Sequence, residues 1–263
     1  MKKIILTLVI LVFTLMNMNT TKADDYTDAI LKAKKKIEGI QNLSDRTALL
    51  KIRGDFERIL QLKKNEWMVN YYLAYMDLMI SWSYNDFETG KSDNDNVKKY
   101  TESCINLLNK STDVKDDFSE AYILKMSAQG NRWQYEPDQM NDIIAKSTEA
   151  KETAKKLEPD NPRFYLVDAY AVFYTPENFG GGVDKAQPLF EKSWELYQTY
   201  KPKDETYPDW GKDQAAGMIA MCYLKKDKPD DAKKWIDKAL EASPESGFIK
   251  NYVMKEYEKV NKK

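Results

Sequence analysis

Residues 213–246 read "DQAAGMIAMCYLKKDKPDDAKKWIDKALEASPES", and this stretch decides the fold of the chain. Small side chains recur in it where one helix can cross another closely, and large side chains stand at fixed distances from them. The small residues let two helix backbones approach, and the large residues fill the space beside the crossing. Six positions follow this spacing: Ala220, Tyr223, Ala232, Ile236, Ala239 and Pro244.

With these residues, the segment resembles a tetratricopeptide repeat (TPR), a helical hairpin of 34 residues. Ala220 and Tyr223 stand at the small and aromatic positions of the first helix, and Pro244 ends the second helix. The resemblance implies hairpins that stack side by side and bury a continuous core. We therefore predict an all-α fold, a right-handed superhelix of antiparallel helix pairs (TPR-like α-solenoid), in an exported bacterial TPR protein.

The same spacing recurs upstream. Ala154 and Pro159 are spaced as Ala239 and Pro244 are, and Ala186, Phe190 and Ser193 repeat the pattern of the second helix. The clearest repeats span 140–260, whereas residues 24–139 match only by helix pairing. The alternative is a compact helical bundle with one true repeat.

Apolar residues at helical spacing, separated by glycines and prolines, predict eleven helices. They cover residues 25–39, 44–62, 66–83, 94–110, 117–131, 137–157, 162–174, 184–200, 212–225, 229–242 and 245–260. In the acidic segment 81–96, Asp93 or Asp95 is expected to cap the helix over 94–110.

Residues 1–23 have the order of an export signal. Two lysines precede the apolar run from Ile4 to Met16, and a polar stretch then ends at Ala23. An uncleaved anchor is the alternative, but the run is shorter than the roughly 20 residues of a membrane span. We predict a signal peptide over 1–23 and one helical repeat domain over 24–263, exported to the periplasm or secreted, without stable membrane insertion after cleavage.

Charge and composition exclude several classes of function. Without residues 1–23 the chain has 38 basic and 42 acidic residues, a net charge of −4, so nothing favours nucleic-acid binding. The chain has no histidine, which removes the Ser-His and Cys-His catalytic pairs and the commonest zinc sites. We expect no metal, no cofactor and no catalytic residue. Cys104 and Cys222 lie in apolar helical patterns, so buried free thiols are favoured over a disulfide.

The loop "YTPENFGGG" before the helix at 184 raises the question of phosphate binding. A phosphate loop needs a Lys and a Ser or Thr after its glycines, but Val183 and Asp184 follow here. We predict a loop that leads into a helix, with Asp184 as its N-cap, Gln187 as capping-box partner and Phe179 folded back on the hairpin. Either the loop only closes its hairpin, or it edges a ligand groove; its candidate residues are Pro176, Phe179, Gly180, Gly181 and Gly182.

First helices of TPR pairs line the concave side, and this gives the groove candidates Gln214, Gly217, Met221 and Leu224. The alternative packs Met221 and Leu224 against the neighbouring helix. The lysines and asparagines with which the family clamps peptide carboxylates are missing at these positions. A pocket lined by aromatic residues would instead use Trp67, Tyr71, Trp82 and Trp133.

The resemblance implies a non-catalytic scaffold or adaptor that binds a protein or peptide partner of the cell envelope through a TPR-like groove. The glycine-bearing loop is also similar to that of soluble helical-repeat subunits of some solute transporters, so a small-molecule binding accessory subunit is the alternative. A carboxylate-dependent hydrolase is a third hypothesis, which requires two acids facing each other across a deep cleft.

Overall fold

The computed structural model describes residues 25–86 and 89–262; the predicted signal peptide lies outside them. These residues form eleven α-helices and one short antiparallel strand pair, β1 (Asn85–Asp86) with β2 (Lys91–Ser92). The helices are α1 (Asp25–Glu38), α2 (Arg46–Leu60), α3 (Glu66–Trp82), α4 (Asn94–Val114), α5 (Ser119–Asn131), α6 (Met140–Leu157), α7 (Pro162–Tyr174), α8 (Val183–Tyr197), α9 (Lys212–Lys225), α10 (Pro229–Ala242) and α11 (Met254–Asn261).

The helices pack in consecutive antiparallel pairs, from α1 with α2 to α9 with α10, and α11 covers the last pair. Each pair also contacts the next. Among the first helices of the pairs, α5 contacts both α3 and α7. We call the side of the solenoid formed by the first helices α1, α3, α5, α7 and α9 the inner face. The predicted all-α, TPR-like solenoid is confirmed.

Packing at the repeat positions follows the spacing read from the sequence. Ala220, Ala232, Ile236 and Ala239 are fully buried, as are Ala154, Ala186, Phe190 and Ser193 upstream. The small residues lie where neighbouring helices cross, and the larger ones pack beside them.

The predicted helix ends are close to the observed ones, but the prediction of Asp184 as the N-cap of α8 is wrong. The helix begins at Val183 with Gly182 as N-cap, and no side chain caps it. Asp184 instead pairs with Lys226 at 2.7 Å, and Gln187 accepts a hydrogen bond from the same lysine at 2.8 Å. A glycine with a φ of 103° already sets the entry angle of the chain at this point.

At α4 the capping prediction is confirmed, because Asp93 accepts a hydrogen bond from the Asn96 N–H at 3.1 Å. The last predicted helix, over 245–260, begins at Gly247 and passes through a π-helical segment over Ile249–Val253 into α11.

The carboxyl-terminal segment packs closely on α9 at position 217. A Cβ atom on Gly217 would lie 2.5 Å from Ile249 Cδ1, so a larger residue there would have to displace the Ile249 side chain. The same segment meets the first helix pair, since Asn251 Nδ2 donates to the Gln41 carbonyl at 2.7 Å and Gln41 Nε2 donates to the Glu245 carbonyl at 2.9 Å. The two ends of the solenoid therefore touch.

The core consists of three clusters. One lies within α1 to α5, one within α7 to α11, and a smaller one joins α5, α6 and α7. Trp210, in the connection between α8 and α9, packs against all three clusters. Cys104 and Cys222 are buried free thiols, and burial raises the pKa of Cys222 to about 12. Among the described residues, no helix is both long and apolar enough to cross a membrane.

Candidate functional site

The connection between α8 and α9 lies across the inner face. We call residues 200–211 the strap; they form neither helix nor strand. The strap contacts α1, α3, α5 and α7, so the concave surface that an open TPR superhelix would present is occupied by the chain itself.

Lys34 of α1 is the main polar anchor of the strap. Its ammonium group donates to the backbone carbonyls of Glu205 and Tyr207, each at 2.6 Å, and pairs with the Asp209 carboxylate at 2.9 Å. The lysine is only 7% exposed. A buried ammonium group is costly unless it is paired and hydrogen-bonded, and all these partners lie on the strap.

Aromatic rings hold the other side chains of the strap. Trp210 stacks on Tyr75 with 5.0 Å between the ring centroids and donates its indole N–H to the Tyr71 hydroxyl at 3.0 Å. Tyr207 packs edge-on against Trp67 and Phe118 at 6.0 and 5.8 Å. Burial raises the pKa of Tyr71 well above its ordinary value, and the nearby Glu120 adds to the rise.

A buried ion pair fixes the end of the strap. Arg163 of α7 contacts both carboxylate oxygens of Glu120 on α5, at 2.8 and 2.5 Å, and both side chains are almost fully buried. Burial opposes the charge of Arg163, but the Glu120 carboxylate outweighs it and raises the arginine pKa well above its ordinary value. Arg163 also donates to the Tyr200 hydroxyl at 2.9 Å and to the Trp210 carbonyl at 3.4 Å.

The predicted groove residues lie in different surroundings. Trp67 and Tyr71 contact the strap or its aromatic neighbours. Gln214 is half-buried at the start of α9, where it is hydrogen-bonded to Tyr75. Met221 and Leu224 are buried in the core cluster of α7 to α11. This placement corresponds to the alternative in which they pack against neighbouring helices.

The four aromatic residues expected around a pocket do not come together. Trp82 donates to the Asn131 side chain at 3.0 Å, Trp133 is 39% exposed in the connection after α5, and Trp67 and Tyr71 lie at the strap. The strap itself was missed, although an unusually long connection containing Tyr207 and Trp210 is visible in the sequence.

The glycine loop between α7 and α8 uses its backbone N–H groups internally. Those of Gly180, Gly181 and Gly182 donate to the carbonyls of Glu177, Pro176 and Val172, at 2.9, 3.2 and 2.9 Å. A Cβ atom on Gly181 would lie 2.1 Å from the Thr175 carbonyl oxygen, so only glycine fits there. The loop is a tight turn whose glycine N–H groups are all engaged, two by carbonyls of the loop and one by a carbonyl of α7.

Phe179 projects from this turn into solvent. It is 77% exposed, so the prediction that it folds back on the hairpin is wrong. Residues 177–179 form a single 3₁₀ turn, which holds the ring away from the helices. Pro176 begins this turn and is also exposed.

Next to the loop lies a group of tyrosines that we call the tyrosine edge: Tyr170, Tyr174 and Tyr252. The rings of Tyr170 and Tyr174 are one helical turn apart and nearly parallel, with 6.4 Å between centroids and 3° between planes. Tyr174 is 62% exposed and hydrogen-bonded to Tyr252, which also lies near Tyr170. Tyr174 and Phe179 are exposed at the end of α7, whereas Tyr170 and Tyr252 are half-buried and pack against the core cluster of α7 to α11.

No family model matches the chain, and no curated protein matches it. Among solved structures, it is similar to the HusA haemophore from Porphyromonas gingivalis, with a TM-score of 0.63 and 25% identity, over 79% of this chain and 96% of that chain. A thermophilic TPR protein of Thermus thermophilus has a TM-score of 0.55 and 14% identity, over 80% of this chain and 91% of that chain. The second likeness concerns the fold alone.

Proposed function

We propose that this chain is a non-catalytic binding protein of the haemophore type, whose ligand is a flat, largely apolar macrocycle such as haem. The observation that carries the proposal is the likeness to HusA, which extends over 96% of that protein at 25% identity. The protein is accordingly a small-molecule binder rather than a general adaptor.

The tyrosine edge is where we place the ligand. Aromatic side chains offer large, flat, apolar contact area, and a planar ligand needs a face rather than a deep cavity. Tyr174 presents an exposed ring there, with the parallel, half-buried ring of Tyr170 behind it, and Phe179 adds a mostly exposed ring on the adjoining loop. Because the chain contains no histidine, the ring faces and phenol groups carry recognition.

The non-catalytic role is supported by the state of the buried acids. Among the described residues, Asp77 and Glu120 are the buried carboxylates, and each is bound by an arginine, Arg53 and Arg163 respectively. A carboxylate held in this way is engaged in structure rather than available as a general acid or base.

The cellular setting is part of the proposal. Removal of residues 1–23 would leave one domain over 24–263, exported to the periplasm or secreted, where a ligand is captured outside the cytoplasm. A protein or peptide partner in the TPR-like groove would have to compete with the strap, so such a partner is a separate activity from ligand binding at the edge.

Absorbance titration of the purified protein with haem tests the proposal. We expect saturable binding of one haem per chain, weakened at least about tenfold, equivalent to about 1.4 kcal/mol, in a Tyr174→Ala, Phe179→Ala double variant. Trp133→Ala is the matched control, because it removes an exposed ring far along the chain from the edge, and it should bind as the wild type does.

Two results contradict the proposal. One is the failure of the wild-type protein to bind haem or metal-free protoporphyrin at micromolar concentration. The other is unchanged affinity in the double variant, which would move the ligand away from the tyrosine edge.

A further inference from the structure

We propose that the tyrosine edge selects porphyrins that carry free carboxylates, and that Lys185 of α8 is the side chain that binds one of these carboxylates. The inference rests on the proposed function, because it concerns the same site. It adds the charge of the ligand and the residue that recognises that charge.

Lys185 lies at the base of the loop that carries Phe179. It is in the first turn of α8, and its side chain is exposed. Its ammonium group donates to the carbonyl of Gly180 at 3.0 Å, and Gly180 directly follows Phe179 in the chain. A ligand that covers the exposed ring of Phe179 therefore has this ammonium group at its border.

The charge of Lys185 is not compensated within the described part of the chain, since its hydrogen bond goes to a neutral carbonyl. Two acids around the loop are placed otherwise. Asp184 pairs with Lys226 at 2.7 Å, and the side chain of Glu177 lies against Gly182. An ammonium group has three N–H donors, so Lys185 keeps donors for a carboxylate of the ligand.

Helix stability does not account for a lysine at this position. The first turn of a helix carries a partial positive charge, so a cation there is slightly unfavourable. In α8 no side-chain cap offsets this charge. A carboxylate bound by Lys185 would be attracted by the ammonium group and by the end of the helix together.

The arrangement matches the two parts of a haem molecule, an apolar ring plane and an edge that carries propionate groups. The rings of Tyr174 and Phe179 offer apolar contact area for the plane, because both are exposed. Lys185 offers a charge-assisted hydrogen bond for a propionate at the edge. The aromatic rings therefore supply most of the contact area, and Lys185 distinguishes an acidic porphyrin from a neutral one.

Absorbance titrations of the full chain with haem and with haem dimethyl ester, whose propionates are neutral, test the inference. Because the ion pair would be partly exposed to solvent, Lys185→Gln should weaken haem binding about three- to fivefold. Charge reversal in Lys185→Glu should weaken it at least about tenfold, whereas Lys185→Arg keeps the charge and should stay within about twofold of the wild type. Affinity for the ester should be the same in all three variants and in the wild type.

Lys192→Gln is the matched control. Lys192 is also exposed on α8 and lies about 10 Å further along the helix axis, so this variant should bind both porphyrins as the wild type does. Thermal denaturation of each variant checks that the loop and helix are intact.

The outcomes separate this inference from the proposed function. Unchanged haem affinity in Lys185→Glu, or an equal loss of affinity for haem and for the ester, would overturn the role of Lys185 and leave the proposed function standing. Failure of the wild-type protein to bind either porphyrin would overturn both.

Discussion

Helices α3 and α9 are both inner helices buried on most sides, but they are built from opposite kinds of side chain. Buried positions of α3 carry Tyr71, Tyr72 and Tyr75 together with methionines, whereas those of α9 are mainly alanine, glycine and other small or unbranched residues. In α9 the small residues bring α10 close. At α3 the strap packs against the large rings, with Trp210 on Tyr75 and hydrogen bonds to Tyr71 and Tyr72.

The difference shows two ways of burying an inner helix. At α9 the covering elements are α8, α10 and the carboxyl-terminal segment, which are near in sequence, so the same spacing can recur in other pairs. At α3 part of the cover comes from residues 205–210, more than 120 positions later in the chain. The covering of α3 by residues 205–210 depends on contacts between distant parts of the chain, so no repeated spacing in the sequence indicates it.

The largest expected effect comes from breaking the buried ion pair of Glu120 on α5 with Arg163 on α7, two helices that lie between α3 and α9 in the chain. Glu120→Gln leaves Arg163 buried with its charge uncompensated, and this should lower the free energy of unfolding by about 3–5 kcal/mol. Urea denaturation measures the change. If the pair is responsible, the double variant with Arg163→Gln will lose less than the two single variants together; strict additivity would argue against it.

At strongly alkaline pH, α3 should be destabilised more than α9, because α3 buries three tyrosines whose pKa is raised and α9 buries one such thiol, Cys222. Burial raises the pKa values of Tyr71, Tyr72 and Tyr75 above the ordinary 10.0, so these groups stay protonated in the folded chain while the unfolded chain ionises. The contribution of these tyrosines to stability is therefore fully present below pH 10 and falls as pH rises, by about 1.4 kcal/mol per tyrosine at one pH unit above the unfolded value.

Hydrogen exchange at successive pH values checks this difference. At about pH 11, peptides from α3 should have lost more protection than those from α9 and α10, once the intrinsic pH dependence of exchange is subtracted. Equal loss in both regions would mean that they unfold as one unit.

A larger side chain where α9 crosses its neighbours should destabilise the fold. Ala220 is fully buried, and Ala220→Leu should lower the free energy of unfolding by about 1–3 kcal/mol. The matched control is Ala171→Leu on α7, where the alanine is exposed and the change should stay within about 0.5 kcal/mol. Equal effects at the two positions in thermal denaturation would contradict the close-crossing account.

The smallest effect is expected outside both regions. Phe179 is mostly exposed, so Phe179→Ser should alter the free energy of unfolding by no more than about 0.5 kcal/mol. Gly181→Ala in the same loop is the contrasting variant, because its methyl group would meet the Thr175 carbonyl. If Phe179→Ser lowered the melting temperature as much as Gly181→Ala does, the Phe179 ring would contribute to the stability of the fold.

Much of the fold follows from local pattern. Ala220, Ala232 and Ala239 could be assigned because their roles depend on spacing within one hairpin, and the helices followed from apolar periodicity. The strap could not be found in this way, since nothing near Trp210 in the sequence indicates that its ring lies on Tyr75. The same holds for Lys34, whose periodicity gives no sign that it is buried with partners 171 or more residues away.

The candidate site was less predictable than the fold. The sequence placed Phe179 and the glycines in one loop, but whether the ring points inward or outward depends on the turn geometry. The capping of α8 was misjudged for a related reason, since Asp184 had two competing partners and the ion pair with Lys226 was formed instead of the cap.

The late position of the strap has a consequence for how the chain folds. A solenoid whose repeats touch only their neighbours can fold from one end as it is synthesised. Here the first helix pair lacks the partners of Lys34 until residues near 209 have been made, so the amino-terminal half cannot reach its final packing early. These distant contacts raise the contact order above that of repeats that touch only their neighbours, so slower and more cooperative folding is expected in place of repeat-by-repeat growth.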